Sequence, residues 1–71
     1  MTDDEMLEQS FNIAWRVLRQ SGDMGDENEA AGFLLNRIEG MMQRGEKRRL
    51  LLSNRAIDGY RLRYQLLRLV S

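Results

Sequence analysis

Two glycine-bearing connections, at 21–25 and 44–46, divide a chain with no proline into three stretches whose apolar residues recur at helical spacing. The first stretch opens on Thr2-Asp3-Asp4-Glu5, a capping box in which the Thr2 hydroxyl accepts the Glu5 amide and the Glu5 carboxylate reaches back. Three acids there also suit the positive end of a helix. Gly22 is the expected residue just past its end. Asp26, with Glu29 three residues on, is a second start signal, and Gly45 the second stop. The third stretch starts after Gly45-Glu46. Ser53-Asn54 could cap a fresh helix inside it, and Gly59 costs about 1 kcal/mol against Ala in a helix interior. Whether that stretch breaks near residue 53 stays open on the sequence alone.

The pattern therefore predicts an all-α fold: one three-helix, bundle-like domain, with helices over about 3–20, 27–44 and 47–70. Seventy-one residues make one small domain at most, and such a chain buries only about 60% of its unfolded surface. No cysteine is present to staple it. Small domains without staples often gain stability by oligomerising.

The helical faces point the same way. The second stretch carries one apolar stripe: Ala30, Ala31, Leu34, Leu35, Ile38, Met41 and Met42. Phe33 falls outside it, and Gly32, Asn36 and Gly40 form a smooth opposite side, best read as solvated. In the first stretch, apolar residues cover more than half the circumference, whereas a surface helix needs an arc only somewhat wider than ~100°. The third is wider still. Leu50, Ala56, Ile57, Tyr60, Tyr64 and Leu67 cluster on one side, and Leu51, Leu52, Leu62, Leu66, Leu69 and Val70 on roughly the other. A homodimer built through the third helix and part of the first is expected to cover the surplus, since two-fold dimers are the commonest assemblies. A third helix sandwiched between the other two would also hide both faces. The expected core is Phe11, Trp15, Leu18, Leu34, Ile38, Ile57, Tyr60, Tyr64 and Leu67, and residues 1–4 are expected to fray.

Charge is segregated. Residues 1–29 hold eight acids and two bases, a formal −6; residues 30–71 hold nine bases and three acids, a formal +6. A net charge of zero thus hides a strong dipole, which is expected to bring the acidic first half against the basic second half.

The chemistry of the chain is defined mostly by exclusion. Without His or Cys, the commonest general base and the Ser-His and Cys-His nucleophile pairs are absent. Lys47, the one lysine, lies in a highly charged stretch that offers no desolvation to activate it. Asp23, Asp26, Glu27 and Glu29 fail the calcium-loop pattern: counted from Asp23, position three is Gly25, position six Asn28 and position twelve Leu34. No phosphate-binding glycine loop is present, and no metal or cofactor is expected. No apolar run reaches the ~18–20 residues of a membrane span, the acidic N-terminus is unlike a secretory leader, and a cytoplasmic location is the default.

Two surfaces remain. Leu51, Leu52, Leu62, Leu66, Leu69 and Val70 form a candidate protein interface. Arg44, Lys47, Arg48, Arg49 and Arg55 form a candidate anion or nucleic-acid contact, since guanidinium groups suit bidentate contacts to phosphate. A short glycine-bearing connection before a basic helix has the outline of a helix-turn-helix, yet the would-be recognition helix begins with three leucines and the pI is near 6.2. The expected function is a non-enzymatic protein–protein interaction module, an adaptor, inhibitor or regulator, that self-associates. The alternative is a small nucleic-acid-binding regulator using residues 44–55.

Overall fold

The computed structural model describes the backbone of residues 2–70 and the side chains of residues 2–66. Three helices, α1 (Asp3–Ser21), α2 (Glu27–Gln43) and α3 (Arg49–Val70), each pack against the other two, with no strand among the described residues.

Local chemistry sets the helix ends. Thr2 Oγ1 accepts the Glu5 N–H at 3.2 Å, and Asp26 Oδ1 accepts the Glu29 N–H at 3.1 Å, each satisfying a donor the helix cannot. At the first turn of α1, Lys47 Nζ lies 3.0 Å from Asp3 Oδ1. Gly22 ends α1 in the left-handed conformation, φ 76°, and the Asp23 N–H closes on the Leu18 carbonyl at 3.1 Å. Helix α2 ends in a Schellman motif: Glu46 N–H to Met41 O and Gly45 N–H to Met42 O, each 3.0 Å, with Gly45 at φ 100°. The third helix starts at Arg49 because the Glu46 carboxylate takes the Arg48 N–H at 3.0 Å and places an acid where α3 carries none of its own.

Helix α3 runs unbroken through residue 53. Ser53 is fully buried, and its hydroxyl turns back to the carbonyls of Arg49 (3.1 Å) and Leu50 (3.0 Å) instead of opening a new helix.

The core consists of Ala14, Leu18, Met24, Ala30, Leu34, Ile38, Met41, Leu52, Ala56, Ile57 and Tyr60. Small side chains dominate where α1 meets its neighbours: Ser10 and Ala14 are fully enclosed on α1, as are Ser53 and Ala56 on α3. Phe11 and Trp15, expected at the centre, are half-buried on its flank, their rings stacked 5.4 Å apart. On α1 the inward line is Ser10–Ala14–Leu18, spaced four apart, and the two aromatic side chains lie one position to its side. Tyr64 is half-buried, and Leu67 lies outside the described side chains.

The connection 22–26 is drawn into the core. Met24 is buried, and the Tyr60 hydroxyl donates to its carbonyl. The next residue of α3, Arg61, donates from Nε to Asp23 Oδ2 at 3.0 Å, while Ser21 Oγ donates to the same oxygen at 2.9 Å. The Tyr60 hydroxyl is held above its usual pKa of 10.0, first by burial, which disfavours the phenolate, and next by the negative charge of Glu29. The folded chain therefore keeps that proton more tightly than the unfolded one. The stability contributed by the neutral phenol is complete below pH ~10 and declines as pH rises through the higher folded value. Tyr60→Phe is expected to cost about 1–3 kcal/mol at neutral pH, because the Met24 carbonyl loses its donor, and to flatten the alkaline limb of a stability–pH profile measured by urea unfolding.

Candidate functional site

Two surfaces can be built from these elements. The first is the outer side of α3. At ~100° per residue the inward arc of this helix is Leu52, Ser53, Ala56, Ile57 and Tyr60, all buried. Leu62 and Leu66, four apart on the opposite side, are 58% and 54% exposed. Leu51, on the same side, is half-buried. The sequence reading therefore needs correction at Leu52: it is 0% exposed within the single chain and is a core residue, not an interface residue. The reverse holds for Leu50, grouped with the core face yet 66% exposed. Three consecutive leucines sweep 200° of a helix, and packing against α1 and α2 selects which of them turns inward. Leu69 and Val70 lie outside the described side chains.

The second surface is basic. Of the five residues read as an anion contact, three are engaged within the chain. Lys47 pairs with Asp3 at 3.0 Å, Arg49 donates to Gln9 Oε1, and Arg48 clasps Glu46 with Nε–Oε1 at 3.0 Å and Nη2–Oε2 at 3.2 Å. The Arg48 hydrogen bond holds the Glu46 carboxyl far below the usual carboxylate range, at about 2. Arg61, on α3, is likewise tied to Asp23. Two of these contacts, Lys47–Asp3 and Arg61–Asp23, bring basic residues of the second half onto acids of the first. Exposed pairs of this kind are worth only ~0–1 kcal/mol each, so they orient the helices rather than hold them together.

Arg44 and Arg55 remain, and they border one open depression with Met41, Gly45 and Glu46. Arg44 also borders a second depression, of about 330 Å³, with Phe33, Asn36, Arg37, Gly40 and Arg63. Among the described residues, no carboxylate forms an ion pair with Arg37, Arg44 or Arg63. The Arg63 guanidinium lies 5.5 Å from the centroid of the Phe33 ring, a cation–π contact, and that ring tilts against Tyr60 at 5.6 Å. A Cβ at Gly59 would meet Arg37 Nε at 3.4 Å and Phe33 Cζ at 3.5 Å, so the bare backbone of α3 is the seat on which these two side chains of α2 lie.

Sequence reading passed over Arg37 and Arg63 because they stand on different helices and share no local signal. Phe33, out of line with the α2 stripe, was the available clue. Gly40, taken as part of a solvated side, borders the depression.

Among the described residues no group of three or more acids is placed to hold a metal ion, and no helix is long and apolar enough to cross a membrane. A scan against protein-family models finds no match to this chain, and searches of curated proteins and of solved structures find none either.

Proposed function

We propose that this chain is a non-enzymatic helical interaction module, an adaptor, inhibitor or regulator, that self-associates through the outer side of α3. The observation that carries the reading is the pair Leu62 and Leu66, each more than half exposed and one turn apart on a helix whose other side is already buried. Covering a leucine side chain fully contributes about 1.5–3 kcal/mol, so the pair repeated on two copies gives a symmetric contact a substantial driving force. A 71-residue chain with a small-residue core and no staple benefits from that added burial.

Sedimentation at low and high concentration tests the reading. The native chain is expected to gain mass with concentration. The double variant Leu62→Asp/Leu66→Asp is expected to stay monomeric while keeping its helical circular dichroism, since neither side chain belongs to the core. A native chain that sediments as a monomer at every concentration would remove the self-association reading.

A further inference from the structure

We propose that the depression bordered by Arg37, Arg44 and Arg63 is a binding site for a compact phosphate-bearing anion, with the Asn36 carboxamide as an additional donor. This inference is independent of the α3 leucine surface. Three guanidinium groups present donors only, in a planar fork that matches phosphate oxygens, and they concentrate positive charge where no described carboxylate pairs with them. Elsewhere Lys47, Arg48 and Arg61 each have an acid at 3.0 Å, while Arg16, Arg19, Arg49 and Arg55, like the arginines of the depression, form no ion pair among the described residues. What sets these three arginines apart is that they converge on one depression.

The site is also partly built before any ligand arrives. Arg63 is stacked on Phe33, and Arg37 lies across Gly59, so two of the three groups are positioned by packing rather than left to sample solvent. Ordering long side chains in advance reduces the entropy lost on binding.

The surroundings select a compact ligand over a polymer. A phosphate backbone needs a continuous basic track. Here the route from Arg44 toward Arg55 passes the Glu46 carboxylate, which shares the neighbouring depression and stays ionised. On the other flank of α2, Glu39 borders a depression with Asp3 and Asp4. The basic area is therefore confined to one open depression, about 330 Å³ in volume, with ample room for a phosphate or pyrophosphate group.

The test follows the arginine Nε–H resonances of the intact chain by NMR during titration with sodium pyrophosphate, with ionic strength held constant by chloride. Saturable shifts are expected at Arg37, Arg44 and Arg63, with Arg16 and Arg19 on α1 unmoved. Arg37→Gln and Arg63→Gln are each expected to weaken pyrophosphate binding about tenfold or more, the usual loss for a hydrogen bond to a charged group. The native-chain titration carries the test even if a variant folds poorly. Shifts that fail to saturate, or that appear equally at Arg16 and Arg19, would reduce the effect to ionic screening and overturn the site. A parallel titration with a short single-stranded oligonucleotide completes it. Binding of the oligonucleotide that pyrophosphate does not displace would overturn the compact-anion assignment in favour of a nucleic-acid surface.

Discussion

Leu52→Ala is expected to destabilise the fold by about 2–5 kcal/mol, enough to unfold much of the population of so small a domain. Leu52 is fully enclosed on the inward arc of α3, beside Ser53 and Ala56, which are too small to expand into the space it would leave. The cost has two parts, the lost burial of the removed atoms and the void left behind. Leu62→Ala removes the same atoms ten residues further along the same helix. Because that side chain is 58% exposed, its effect on a dilute, unassociated sample is expected to stay within about 0.5 kcal/mol. Urea unfolding of the two variants side by side measures the difference. Equal midpoints would mean that α3 is rotated about its axis from the orientation described.

Gly25→Ala is the second large effect, at about 2–3 kcal/mol, or more than ten degrees in the thermal midpoint of a chain this size. Gly25 has φ 64°, where a Cβ strains the backbone by roughly 1–2 kcal/mol. An added Cβ would also lie 3.2 Å from Tyr64 Cε2, so the Tyr64 ring must give by a few tenths of an ångström, and it would come into contact with the Tyr60 hydroxyl at 3.5 Å. Two glycines serve as internal controls. Gly22, at φ 76° with nothing within 4 Å, should show the backbone cost alone. Gly32 sits inside α2 with equally open space, and replacement by Ala there should stabilise by up to about 1 kcal/mol. Thermal unfolding of the three variants separates strain from crowding; a Gly25 variant no worse than the Gly22 variant would show that Tyr64 yields freely.

The sequence was most informative where the chemistry is local. Thr2 and Asp26 announce the starts of α1 and α2, and Gly22 and Gly45 their ends, because each acts through atoms only a few residues away. The all-helical, three-element fold follows from that punctuation. Reading failed where distant packing decides. Ser53 carried a cap's identity but occupies a core position, since a small side chain that satisfies its own hydroxyl on the preceding turn suits a close helix crossing. Ser10 is buried as well, although a hydropathy pattern counts it as polar and its hydroxyl, unlike that of Ser53, finds no hydrogen-bond partner among the described residues. Aromatic size suggested that Phe11 and Trp15 lie at the centre, yet alanine and serine allow the backbones nearer and leave the rings at the margin. The basic surface was located by a run in sequence at 44–55. Three residues of that run are bound by Asp3, Gln9 and Glu46, and a fourth, Arg44, borders one depression with Arg37 and Arg63, which no run in sequence links to it.

Tyr60 and Arg61, adjacent on α3, fasten the α1–α2 connection at Met24 and Asp23. Trading helices between copies would require α3 to leave its own hairpin first, through a state with both fastenings open and the Leu52–Tyr60 arc bared to water. That obstacle is kinetic, because an exchanged pair would remake the same bonds. Under the proposed self-association, chains that have already folded would therefore join side by side, each intact, rather than by lending one another a third helix.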